Sequence, residues 1–401
     1  MLHSYAFSNF RSFRGRAEVS LVLNEKDSAN GWVANSASGH RLTTALAVLG
    51  PNASGKTSLL QPLAFLAWFV PNSFDSKPGA AIPITPHFAS KAEPSEFELI
   101  VDALEPNTLW RYRVSLTTQR VISESLERKQ GKGRWQRIFD RQRNGDDGYD
   151  VHQSEFGLDA AQAAAVRPNV SLISWAIQFD VELAKRLCEI TAVTNINSGG
   201  RIAPRNDVLR RLAKFYGEEP ELQNRMKKVF RDLDFGLEDI VARQIDIPDP
   251  SGVIETQKIW VLFGLHKGAS DYLLPFTEES SGTKAAFTLL AQFIPALEQG
   301  GFVVYDELES DLHPMMIAPL MQLFSDPEVN RNNAQIIFTC HYPEVLRFLQ
   351  KSQVMLVEKR ELESRTWRLD SVSGVRSDDN RVAKYLAGVY GAVPRVPKAA
   401  S

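Results

Sequence analysis

Gly50-Pro51-Asn52-Ala53-Ser54-Gly55-Lys56-Thr57 sets two glycines, a lysine and a hydroxyl at the spacing G-x-x-x-x-G-K-[ST]. Each type has a physical task. Glycines let backbone N–H groups curl around phosphate oxygens, and a helix opening near Gly55 aims the positive end of its dipole at the anion. The Lys56 ammonium reaches the β and γ phosphates of a nucleotide, and the Thr57 hydroxyl ligates Mg²⁺. The pattern predicts a phosphate cradle built from Gly50, Asn52, Ser54, Gly55, Lys56, Thr57 and Ser58. The bland alternative is a glycine-rich turn that only joins a strand to a helix.

A second constellation is FVVYDELESDLHP, an apolar run that ends in Asp306-Glu307. Carboxylates at the C-terminal end of a parallel strand sit where α/β sheets bind ligands. Asp306 is the expected holder of the Mg²⁺ shell. Glu307 is the expected general base that polarises a water. Alone, the pair reads equally well as a solvated acidic loop; the phosphate loop upstream favours chemistry. QIIFTCHYPEV repeats the arrangement, and His341 follows its strand. A histidine there is commonly structural. Its place one strand–helix unit after Asp306-Glu307 makes it a candidate donor to the γ-phosphate.

A third stretch, Glu278-Glu279-Ser280-Ser281-Gly282-Thr283-Lys284, has the residue types of a helix N-cap. It could be only a cap, or half of an active site completed by a second molecule.

The elements that must position these residues follow from periodicity. TALAVLG is a short, nearly continuous apolar run, as expected for a strand buried on both faces. Leu59, Leu60, Leu63, Leu66 and Ala67 then recur at helical spacing, and Pro71 is expected to end that helix. Residues 1–25 alternate as strands. Residues 95–128 read as an antiparallel meander, and QRNGDDGYD (142–150) as a polar loop. Residues 158–239 carry helical periodicity with turn residues at INSGGRIAPRND. TQKIWVLFGLH reads as a strand. Residues 283–298 read as a helix, followed by alternating strands and helices, among them a helix over PEVLRFLQ. Such alternation implies parallel strands with crossover helices. The expected organisation is an α/β P-loop fold with three parts. Residues 1–149 hold the phosphate loop and meander, 150–240 a separate helical lobe, and 241–401 the remainder of the head and its tail.

The order of the motifs, phosphate loop, ESSGTK, VVYDE, SDLHP and TCH, resembles an ABC-type ATPase head. The resemblance is to the branch containing the overcoming-lysogenization-defect ATPases and the chromosome-maintenance and break-repair heads. SNFRSF, VEKR (357–360) and NRVAKYLAGVYGAVPRV (380–396) resemble the stand-alone bacterial ATPases of abortive-infection and other anti-phage systems. The resemblance spans nearly the whole chain and is weakest over 130–240. It implies ATP and Mg²⁺ as ligands. It implies that Ser280, Gly282 and Thr283 contact the γ-phosphate held by an opposite subunit, with Asp311 at the dimer interface. Arg11 resembles a position close to nucleotide. The family signature begins Leu-Ser-Gly-Gly, and this chain departs from it with Glu279-Ser280-Ser281-Gly282-Thr283. The resemblance also implies a Q-loop glutamine, but ITPHFAS (84–90), in about the right place, contains none.

The remaining features narrow the function. The 401 residues are 43% hydrophobic and 23% charged with net charge -2, so no global attraction to nucleic acid is expected. Locally, residues 200–231 hold Arg201, Arg205, Arg210, Arg211, Lys214, Arg225, Lys227, Lys228 and Arg231 against Asp207, Glu218, Glu219 and Glu221. That surplus could bind a phosphate backbone, or be a solvated helical face. Cys188 and Cys340 form no paired motif, as expected in a reducing cytosol. No signal peptide is read, and the longest apolar run, LAFLAWFV, is far too short to span a bilayer, so a cytoplasmic protein is expected. Zinc spacing and a G-x-S-x-G elbow are absent, and Asp232-Leu233-Asp234 reads as a solvated cap. The expected function is an ATPase switch. An ATP-favoured homodimer would control a separate nuclease or toxin in anti-phage defence. The alternative is a DNA-binding head in repair or chromosome maintenance, which would need a long heptad arm that the sequence lacks.

Overall fold

The computed structural model describes residues 1–394 apart from 25, 26, 28–30, 103, 146, 147, 203–205, 234, 235, 249–255, 269, 311, 377 and 378. Among the described residues two sheets carry the architecture. The central sheet orders its strands Ala192–Thr194, Phe302–Tyr305, Gln335–Thr339, Ala45–Leu49, Val354–Arg360 and Glu363–Arg368. The first five run parallel, and Glu363–Arg368 closes the edge antiparallel. Ala45–Leu49 and Gln335–Thr339 are buried at every position; the first is wholly apolar, and in the second buried Gln335 donates to Leu2 O and Thr43 O. In register, Val304 faces Ile337 and Ile337 faces Leu46. Parallel register brings the C-terminal ends of three strands to one edge, where Gly50, Asp306 and His341 emerge.

The second sheet is antiparallel. Its order is Gly148–Gln153, Gln136–Asn144, Val121–Gln130, Thr108–Leu116, Ser95–Val101, Leu2–Ser8 and Ala17–Ser20. Its inner face shares one core with the helix Lys56–Asn72 through Phe7, Phe69, Phe97 and Trp110. Tyr5 ties the layers by donating its hydroxyl to Leu59 O at 2.9 Å. Glu124 and Arg141 form a fully buried ion pair at 3.1 Å. Glu124 also accepts from Tyr112, Ser171 and the Leu172 amide, so the pair fastens the meander to the helix Leu172–Ile177.

Three expectations are corrected. Residues 142–144 and 148–150 are not loop but strand: Asn144 pairs with Gly148 and Arg143 with Tyr149. This hairpin lies at the sheet edge with one face in water, so few of its residues need be apolar. Residues 150–240 do not form one lobe. The helices Ala160–Ala164, Leu172–Ile177 and Glu182–Cys188 serve the core beneath the meander. The helices Asn206–Glu218 and Pro220–Asp232 send Tyr216, Met226 and Phe230 into the opposite core, against Phe287. Between them, Ala192–Thr194 joins the central sheet beside Phe302–Tyr305. Helical periodicity records an apolar face but not the surface that it meets. PEVLRFLQ forms only a 3₁₀ turn, Pro343–Arg347.

Pro71 lies in the last turn of a helix that closes at Asn72. A third sheet, Asp239–Pro248, Thr256–His266 and Tyr272–Pro275, leads into the helix Ser281–Gln299. Among the described residues no helix is long and apolar enough to cross a membrane.

Candidate active site

The phosphate loop leaves Leu49 under a neighbouring strand. A Cβ on Gly50 would lie 2.2 Å from Val357 O, so only glycine fits. Gly55 turns at φ 106, where a side chain would also strike Ser364 Oγ. The helix Lys56–Asn72 that follows has neither a side-chain cap nor an acidic residue in its first turn. Its leading N–H groups are open to an anion.

Lys56 is 7% exposed and donates to Gly50 O and Pro51 O, each at 2.9 Å. Burial lowers its pKa, and Asp306, Glu309 and Glu307 act against that shift. Asp306, 2% exposed, is held from all sides. Thr57 donates to its Oδ2 at 2.9 Å and Thr339 to its Oδ1 at 2.6 Å. Its amide donates to Asn195 Oδ1 at 2.7 Å, while Asn195 Nδ2 donates back to its carbonyl at 2.9 Å. Glu307 takes a left-handed backbone, φ 53, and its amide donates to Thr339 Oγ1 at 2.7 Å. Its Oε2 accepts from Arg201 and, at 3.2 Å, from Ser310 Oγ. His341 is exposed, and its amide donates to Glu309 Oε1 at 2.7 Å.

Asn52, Gly55, Lys56, Thr57, Ser58, Asp306, Glu307 and His341 line one cleft of about 670 Å³, together with Ala53, Glu309 and Ser310. Gly50 and Ser54 lie beneath it; Ser54 is buried and its carbonyl accepts from Ser364 Oγ at 2.6 Å. Arg11 stands behind the loop, donating to Ser198 O, and its amide bonds Thr85 O at 2.8 Å. Burial lowers its pKa. Thr85 belongs to ITPHFAS, which contributes no residue to the lining of the cleft.

Ser280, Gly282 and Thr283 do not line the cleft either. Ser280 is the N-cap of the helix Ser281–Gln299 and accepts from the Thr283 amide at 3.0 Å. Beneath it, buried Glu279 pairs with His266 at 2.8 Å. Asp311, Arg205 and Asp234 lie outside the described residues. Of the cations in 200–231, Arg201, Arg225, Lys227 and Arg231 pair with Glu307, Glu298, Asp239 and Glu238, acids outside that segment.

Sequence reasoning missed Asn195, Glu309 and the role of Arg201. Glu309 carried a faint signal, an acid two positions beyond Glu307 in DELE. Asn195 carried none, because the strand that delivers it has three residues.

The donor set suits Mg²⁺. One hydroxyl and one carboxylate meet, both hard oxygen donors, with room in the cleft for phosphate oxygens and water. Among the described residues no group of three or more His, Cys, Asp or Glu could hold a metal by itself.

Residues 46–347 match the family model described as "AAA domain, putative AbiEii toxin, Type IV TA system". No curated protein matches the chain. Solved structures similar to it include an SmcHead bound to the C-winged helix domain of ScpA, at 14% identity and TM-score 0.47, covering 91% of this chain and 96% of that one. An SMC head domain from Thermotoga maritima shows 14% identity and TM-score 0.43, with coverage of 92% and 98%. An Smc head domain with a coiled coil and joint from Pyrococcus yayanosii shows 11% identity and TM-score 0.44, with coverage of 97% and 99%.

Proposed function

The chain belongs to this AAA-domain family of P-loop NTPase fold, and we propose that it is an ATP-hydrolysing switch whose nucleotide-driven homodimer controls a separate effector in the cytoplasm. The observation that carries the reading is the meeting of Lys56, Thr57, Asp306 and Glu307 in one cleft at a parallel-sheet edge. Lys56 would leave its carbonyl partners for the β and γ phosphates. Thr57 and Asp306 would hold Mg²⁺, which when bound neutralises phosphate charge. Glu307 would take a proton from the attacking water, and the His341 ring would donate to the γ-phosphate. Arg11, anchored behind the loop, would support it rather than touch the phosphates.

Ser280, Gly282 and Thr283 open a helix N-terminus that contributes nothing to the lining of this chain's own cleft. A second copy could bring it to the γ-phosphate, and Asp311 would lie at that interface. This supports an ATP-favoured head-to-head dimer. The family's description names an AAA domain, an AbiEii toxin and a Type IV TA system, which supports a place for this chain in a toxin–antitoxin pair. The resemblance to overcoming-lysogenization-defect ATPases supports anti-phage defence.

The second reading is a DNA-handling head. Between the helix Lys56–Asn72 and Ser280, the longest described helices have 13 residues, so no long arm extends from the described chain. Four paired cations in 200–231 also weaken the case for a nucleic-acid surface there. The test is nucleotide turnover by the purified chain, with a pull-down from the native host with and without ATP. Slow hydrolysis with a nucleotide-dependent protein partner supports the switch. Metal-dependent cleavage of nucleic acid by the chain alone, without such a partner, would make the chain itself the effector.

A further inference from the structure

Residues 196–201 form a small hairpin, Ile196 opposite Arg201 and Asn197 opposite Gly200. It follows the strand Ala192–Thr194 and reaches Glu307 of the cleft through Arg201. Three contacts hold it there. Gln61, buried on the phosphate-loop helix, donates to Asn197 O at 3.1 Å. Arg11 donates to Ser198 O. Arg201 pairs with Glu307 Oε2. The turn holds Gly199 and Gly200, the latter at φ 124, so it can change course at low steric cost. Resting on the assignment of Glu307 as general base, we propose that this hairpin is a latch. Arg201 occupies a carboxylate oxygen of Glu307 and so holds the base away from water; bound phosphates compete with Glu307 for the guanidinium, and only the bound complexes in which they win can react.

The chemistry of the two partners supports this. A guanidinium binds carboxylate and phosphate with the same planar fork, so the γ-phosphate competes directly for Arg201. The Arg201 and Glu307 side chains are 29% and 40% exposed. An ion pair this open is weak, enough to restrain the side chain and easily broken. Ser310 Oγ shares the same oxygen of Glu307, so the restrained carboxylate has a fixed direction. The other anchors join the hairpin to the phosphate-loop helix and, through Asn195, to Asp306. A shift of the loop around phosphates would therefore reach Arg201. Arg201 is a positioning residue that acts through Glu307.

The test is steady-state hydrolysis by Arg201→Ala, Arg201→Lys and Glu307→Gln. Release of the latch raises kcat of Arg201→Ala about fivefold with KM within twofold, the equivalent of about 1 kcal/mol. Arg201→Lys, which keeps the charge, stays nearer wild type. If Arg201→Ala has unchanged or reduced kcat while Glu307→Gln is inactive, the latch is overturned and the base assignment stands. If Glu307→Gln turns over normally, the base assignment itself fails. Should Arg201→Ala not fold, hydrogen exchange of the wild type decides. A non-hydrolysable ATP analogue with Mg²⁺ should speed exchange of the 199–202 amides, and equal or slower exchange overturns the latch.

Discussion

Thr57 donates its hydroxyl to Asp306 Oδ2 across 2.9 Å, joining residues 249 positions apart in the chain. Thr339 holds the other oxygen of that carboxylate at 2.6 Å. Two strand ends and the helix that follows the phosphate loop thus converge on one buried acid. Glu307 follows it on a left-handed backbone and leaves the buried edge for the cleft.

This geometry separates binding from chemistry. Glu307→Gln removes the base and leaves Lys56, Thr57 and Asp306 in place. Turnover should fall by about 10²–10⁴-fold with little change in nucleotide affinity. Lys56→Ala should weaken binding itself. Calorimetric titration beside a phosphate-release assay distinguishes the two, and wild-type turnover by Glu307→Gln contradicts the assignment.

Asn195 clamps both the amide and the carbonyl of Asp306 while nearly buried. Asn195→Ala leaves two buried backbone groups unpaired, at a cost of about 1–3 kcal/mol each. Stability should fall and kcat should drop further than affinity, because Asp306 is no longer fixed. A urea midpoint equal to wild type would show that the clamp is dispensable.

Much of this site was legible because its chemistry is local in sequence. Gly50 to Thr57 is a contiguous motif, and the apolar run Ala45–Leu49 announces two-sided burial. Asn195 and Arg201 were not legible. They reach the site through a three-residue strand, too short for any periodicity, and their importance lies in partners more than one hundred positions away. The edge hairpin at 142–150 was hidden by its polarity. Residues 150–240 misled because apolar helical faces look alike whichever core receives them. The role of ESSGTK cannot be read within one chain, since its capping contacts are those of any helix start.

A composite site has a genetic signature. Lys56→Ala disables the cradle and Ser280→Arg blocks the opposing turn, so each variant alone should be inactive. Mixed together, heterodimers should regain at most one intact site per dimer. Rate assays across mixing ratios should show turnover peaking near equal proportions. No recovery at any ratio would count against completion in trans.

The buried Glu124–Arg141 pair predicts a different outcome, loss of stability without loss of chemistry. Arg141→Met leaves the Glu124 carboxylate without its counter-ion and should cost about 3–5 kcal/mol. Denaturant unfolding should show the midpoint shift, with nucleotide affinity of the folded fraction retained. A shift below 1 kcal/mol would mean that Tyr112, Ser171 and the Leu172 amide alone satisfy the carboxylate.

The most direct test of the switch is the mass of Glu307→Gln in solution by light scattering, with and without ATP and Mg²⁺. Trapped nucleotide should convert monomer to dimer, and Ser280→Arg in the same background should abolish the conversion. A mass that stays the same with and without ATP would contradict nucleotide-driven dimerisation.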